Sequence, residues 1–75
     1  MRILFFASLA EITGKKEIES NSIHSINDLK EFLYSEYPSL KQVKYSIAVN
    51  QSIVQGNELL KEHDEIALLP PFSGG

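Results

Sequence analysis

The 75-residue sequence contains no cysteine. Disulfide staples, thiolate metal sites and cysteine nucleophiles are excluded together. If the chain handles sulfur, no side chain of its own can hold it as a persulfide, and a backbone terminus would have to carry it. Long apolar runs are also missing. The longest, Ile3 to Ala7, is far short of a membrane span. The apolar stretch after Arg2 is broken by Ser8 and Glu11 and has no signal-peptide cleavage pattern, so a cytoplasmic protein with no membrane partner is expected. Basic charge is scarce: seven Lys and Arg face ten Asp and Glu, for a net charge of −3 and a pI of about 5.2. Lys15-Lys16 is the only adjacent basic pair, so a nucleic-acid role has no electrostatic support. No Gly-rich phosphate loop is visible. His24 and His63 are far apart in expected loops and read as surface histidines rather than metal ligands. Glu62, Asp64 and Glu65 read as a solvated turn. No catalytic constellation is left in the chain.

What is present is concentrated at the end. Ile66-Ala67-Leu68-Leu69 is an apolar run short enough to be a buried strand. Pro70 and Pro71 stop it, because neither donates a ladder hydrogen bond and each fixes φ. After Phe72 the residues shrink to Ser73, Gly74 and Gly75, a segment with little to bury. Its one reactive group is the Gly75 carboxylate, which no nearby side chain obstructs. Gly-Gly at a fixed pair of positions has a chance frequency of about 0.5%. The ordered series of strand, diproline, small residues and carboxylate points to use as a reactive tail.

The rest of the chain reads as one small α+β domain, 1–75, with 70–75 as its exposed tail. A chain of this length buries about 60% of its unfolded surface. Residues 2–8 alternate Ile3, Phe5 and Ala7 against Leu4 and Phe6, an interior strand. Ser8 and Glu11 have capping-box spacing for a short helical turn that Gly14 closes. Lys15 to Ser20, with Ile18 alone among charges, reads as a half-exposed strand near a sheet edge. Ser25 caps the main helix, about 26–36, with Asp28 favourably placed at its N-terminus. Ile26, Leu29, Phe32 and Leu33 form its core stripe, and Pro38 ends it. Tyr45 to Asn50 alternates as a strand, Asn50-Gln51 turns it, and Ser52 to Val54 returns. Asn57 is placed to cap a brief helical turn over 58–60. His63-Asp64 turns into the last strand, Glu65 to Leu69. A mixed sheet of four or five strands against one helix is the expected two-layer architecture.

Several of these stretches carry a family resemblance. Met1-Arg2-Ile3-Leu4-Phe5-Phe6-Ala7 with Glu11-Ile12-Thr13-Gly14, then Ala48-Val49-Asn50, and Asp64 through Leu69-Pro70-Pro71-Phe72-Ser73-Gly74-Gly75 resemble the small subunits of molybdopterin synthase. These are ubiquitin-like sulfur carriers with the β-grasp fold. The resemblance covers essentially the whole chain, with His63 standing where many relatives have Gly. It implies that an adenylating enzyme uses ATP to activate Gly75, since a carboxylate is a poor electrophile. A sulfur donor protein then converts the adenylate to a thiocarboxylate. The large synthase subunit, in a heterotetramer, takes the loaded tail and passes its sulfur to a pterin precursor, twice per product. No cofactor is expected on this chain, and the catalytic groups are expected on the partners. Ser73 and Gly74 are implied to thread the tail into those sites. Phe6, Ile53, Leu69, Pro70, Pro71 and Phe72 are implied to contact partners. The rival readings are a thiamine-pathway sulfur carrier, a ubiquitin-like protein modifier acylating lysines through Gly75, and a β-grasp interaction module with an inert tail. Thiamine-pathway carriers usually lack the Leu-Phe-Phe-Ala opening and the diproline.

Overall fold

A computed structural model describes residues 1–71; the readings placed on Phe72, Ser73, Gly74 and Gly75 lie outside the described residues. Five strands, β1 (Arg2–Phe5), β2 (Glu17–Glu19), β3 (Ser46–Val49), β4 (Ser52–Val54) and β5 (Glu65–Leu69), form one sheet in the order β2-β1-β5-β3-β4. Two α-helices, α1 (Ser8–Thr13) and α2 (Ile26–Glu36), and a 3-10 helix at Pro38–Gln42 complete it. β1 and β5 run parallel at the middle of the sheet, and the other pairings are antiparallel. This is the expected α+β, β-grasp architecture with five strands.

α2 occupies the residues that its stripe and caps predict. Ser25 Oγ accepts the Asp28 amide at 3.2 Å, and Asp28 Oδ2 accepts the His24 amide at 3.1 Å, a reciprocal cap. Leu29 and Leu33 are fully buried, with Ile3, Leu9, Leu40, Ile66 and Leu68 around them. Phe32 packs at the margin of this core and stays half-buried. Fully burying a Leu or Ile contributes about 1.5–3 kcal/mol, so these few side chains supply much of the drive to fold.

Three local expectations are corrected. Ser8 does not cap α1: it is the first helical residue, Ala7 precedes it at φ 51°, and no side chain caps the start. The chain must reverse at once after β1 to sink Leu9 into the core, and Ala7 takes that bend. The predicted strand 2–8 accordingly ends at Phe5. Residues 58–60 form no helical turn. The segment lies extended beside the start of α2, where the Glu58 carbonyl accepts the Ile26 amide at 2.9 Å and the Leu60 amide donates to His24 at 2.8 Å. Asn57 does cap a helix, but it is α2, through the Asn27 amide at 2.9 Å. The unpaired N–H groups of α2 outcompete a one-turn helix for these acceptors. Pro38 ends α2 as expected, and it also opens the 3-10 helix, which drives Leu40 into the core.

Gly14 closes α1 at φ 77°, as predicted, and its amide donates to Ala10 at 2.8 Å. Asn50 and Gln51, at φ 49° and 72°, make the two-residue turn between β3 and β4. The Asn50 side chain ties this hairpin to the start of β5, donating to Asp64 Oδ1 at 2.8 Å and accepting the Glu65 amide at 3.0 Å.

Candidate functional site

Side chains alternate across a strand, so the two faces of the sheet separate cleanly. Ile3, Phe5, Ile47, Ile66 and Leu68 lie on the buried face with α2. Leu4, Ala48 and Ala67 therefore project to the open face. The strand registers place them in one row: Leu4 opposite Ala67, Ala67 opposite Ala48, and Ala48 opposite Ile53. One step along β5 toward the tail, Leu69 stands opposite Ser46. On the β1 side the Phe6 amide donates to the Leu68 carbonyl at 3.1 Å, which brings Phe6 level with Leu69.

The open face is thus apolar at the end from which the tail departs. Phe6 is 44% exposed and Ile53 is 53% exposed; Leu69 and Pro70 are half-buried and Pro71 is exposed. A hollow of about 370 Å³ lies beside Phe6, lined by Leu4, Phe6, Ala7, Ala10 and Lys16 among others. The opposite end of this face is ionic. Arg2 bonds Glu17 and Glu65, each at 3.2 Å, and those carboxylates raise its already high pKa. Asp64, at the turn before β5, accepts the Lys61 amide at 2.7 Å and the Asn50 side chain; both bonds favour the carboxylate and lower its pKa.

Of the residues implied as partner contacts, the structure gathers Phe6, Ile53, Leu69, Pro70 and Pro71 around the open face and the root of the tail. Phe6 lies one residue beyond β1 rather than within it. Leu4, Ala48 and Ala67, which complete the row, were missed from the sequence. The alternation of β1, β3 and β5 could have found them once the register was known. His24 and His63 are exposed and stand in separate loops. Among the described residues no His, Asp and Glu side chains group as a metal site, and no helix is long and apolar enough to cross a membrane.

A mixed sheet wrapped on one helix, with its last strand running from the centre into a Gly-Gly tail, defines the ubiquitin-like, β-grasp class of carrier. Its sequence agrees along its whole length: the chain belongs to the ThiS family, whose profile matches residues 3–75. It is 37% identical to a molybdopterin synthase sulfur carrier subunit from Dictyostelium discoideum, across 99% of this chain and 94% of that protein. The solution structure of small archaeal modifier protein 1 from Methanosarcina acetivorans is similar, with a TM-score of 0.82 and 31% identity over 99% of this chain and 94% of that one. A complex of subunits 1 and 2 of the molybdopterin-converting factor from Helicobacter pylori contains another similar chain. Its TM-score is 0.66 at 28% identity, covering 99% of this chain and 96% of that one.

Proposed function

We propose that this chain is the sulfur-carrier subunit of a molybdopterin synthase, working in molybdenum cofactor biosynthesis with Gly75 as the group that carries sulfur. The observation that carries this reading is the apolar row on the open face, aligned with the strand that leads into the tail. Such a face, level with Leu69, can hold a partner while the tail reaches into that partner's active site.

The chemistry is divided among proteins. A Gly75 carboxylate oxygen attacks the α-phosphate of ATP on an adenylating enzyme and releases pyrophosphate. A hydrosulfide-level sulfur supplied by the donor then attacks the acyl carbon; AMP leaves, the sulfur's proton is lost to solvent, and a thiocarboxylate results. In the large subunit that sulfur passes to the pterin precursor, and a water oxygen restores the carboxylate. This chain contributes presentation rather than acid–base groups. Gly74 and Ser73 supply a narrow approach, since Gly lacks the Cβ that would obstruct a channel of backbone width. Partner pockets must offset roughly 1–2 kcal/mol per tail residue that they order.

Intact mass after incubation with the adenylating enzyme, ATP and a sulfur donor tests the reading. A gain equal to sulfur minus oxygen, located at Gly75, is expected; an unchanged mass would refute it. The likeness to an archaeal modifier protein favours a second reading, in which the same activated Gly75 acylates lysines of other proteins. Stable isopeptide conjugates in place of a transferable thiocarboxylate would select it.

A further inference from the structure

A second surface lies on the flank of the molecule and adjoins the open face at Ser46 and Ile53. Between α2 and the β3–β4 hairpin runs a groove of about 510 Å³, with Lys30 and Tyr34 on its helical wall and Lys44, Tyr45, Ile47 and Val54 opposite. The Tyr34 and Tyr45 hydroxyls hydrogen-bond to each other and join the two walls. Burial, and then this bond, raise the pKa of Tyr45, so its hydroxyl stays neutral. Lys41 Nζ stands 5.9 Å from the Tyr34 ring centroid, at the same flank. Among the described residues the ion pairs are those of Arg2 with Glu17 and Glu65, so Lys30, Lys41 and Lys44 have no carboxylate partner. Three of the chain's seven basic residues are gathered on this flank of a protein of net charge −3.

The groove also borders a free strand edge, because β4 is outermost in the sheet. With a two-residue turn, Val49–Ser52 and Ile47–Val54 are the pairs that exchange ladder hydrogen bonds. The Ile53 N–H and C=O therefore point away from β3. Ile53 and, at the groove's other end, Val43 are exposed.

We propose that this flank receives an extended, acidic segment of a partner protein, laid along β4 as an added strand. Its backbone would pair with Ile53, an apolar side chain would enter the cleft over Val54, and its carboxylates would lie among Lys30, Lys41 and Lys44. The two surfaces meet at Ile53, whose side chain ends the apolar row while its backbone faces the free edge. The added strand would bind through that backbone edge and the lysines, leaving Phe6 and Leu69 open.

The test is titration of the isotope-labelled full chain with a short synthetic peptide of alternating glutamate and valine, followed by backbone amide shifts. Shifts centred on Lys30, Tyr34, Lys44 and Ile53 are expected, and affinity should fall steeply with added salt. A peptide with lysine in place of glutamate should leave these amides unmoved. The double substitution Lys30→Glu with Lys44→Glu should weaken binding at least about tenfold. Lys15→Glu with Lys16→Glu, the same charge change elsewhere, should not. Equal losses in the two double variants would reduce the effect to net charge and overturn the proposal. Shifts elsewhere, or none at millimolar peptide, would do the same. Ile53 and Val54 amides that move with protein concentration alone would assign the edge to a second copy instead. Because the readout is peptide binding, an inactive tail would leave this result unaffected.

Discussion

Replacing Phe6 by Ala should separate partner binding from folding. A Phe side chain buries about 150–250 Å² when fully covered, and Phe6 is 44% exposed in the isolated domain. A partner that covers it therefore removes roughly 90 Å² of apolar surface from water, which at ~25 cal/mol/Å² amounts to about 2 kcal/mol. Since each 1.4 kcal/mol is tenfold, Phe6→Ala should weaken binding to the large synthase subunit by roughly 30-fold. The half of the ring already packed in the free domain adds a cost to folding. That cost stays below the ~3–5 kcal/mol of a wholly buried Phe, so the variant should remain folded. Calorimetric titration against the large subunit measures the first effect and a thermal melt the second. Leu59→Ala is the control. Leu59 is 87% exposed but sits beside the start of α2, at the end of the sheet opposite Leu69. An unchanged dissociation constant for Phe6→Ala, or an equal loss for Leu59→Ala, would refute the assignment of the open face as the docking surface.

Deleting Gly75 should abolish sulfur transfer, and Gly74→Val should severely impair loading or transfer, with melting temperatures unchanged in both; product formation with the large subunit reads the effect. Full activity in the deletion variant would show that Gly75 is not the carrier. Asp64 should give stability a distinct pH dependence. Its carboxyl is lowered from 3.8 by the Lys61 amide and the Asn50 side chain, so its contribution is fully present above 3.8 and lost as pH falls through the lower folded value. Asp64→Asn should therefore melt lower than the parent near pH 7, with the difference narrowing under acid; a gap constant with pH would contradict this. Leu29→Ala, at a wholly buried position of α2, should cost about 2–5 kcal/mol in denaturant unfolding. A loss under 1 kcal/mol would place Leu29 outside the essential core.

The elements legible in the sequence are those whose determinants are local. α2 is bounded by Ser25 and Asp28 at one end and Pro38 at the other, with its apolar stripe between, so nothing distant was needed to place it. The Gly14 cap and the first turn position of the β3–β4 hairpin, Asn50, are likewise set by residues that tolerate positive φ. What failed depended on partners remote in sequence. Ser8 has the spacing of a cap, but the path out of β1 puts it inside the helix. Asn57 reads as the start of a helix until the amides of α2, thirty residues earlier, claim its side chain. The 3-10 helix has a single core contact, Leu40, too little for a periodic pattern. Phe6, Ile53 and Leu69 followed from family resemblance. The row that joins Phe6 and Ile53 through Leu4, Ala67 and Ala48 required the pairing of strands sixty-three residues apart.

That pairing also governs which chains can be recognised at all. Among the described strands, β5 alone touches both β1 and β3. Without it the sheet falls into two separate hairpins, each marginal on its own in water. A chain that stops before β5 thus lacks Ile66 and Leu68 of the core and Ala67 and Leu69 of the apolar row. One strand therefore completes both the core and the apolar row, so only a chain made as far as the root of the tail can present that face.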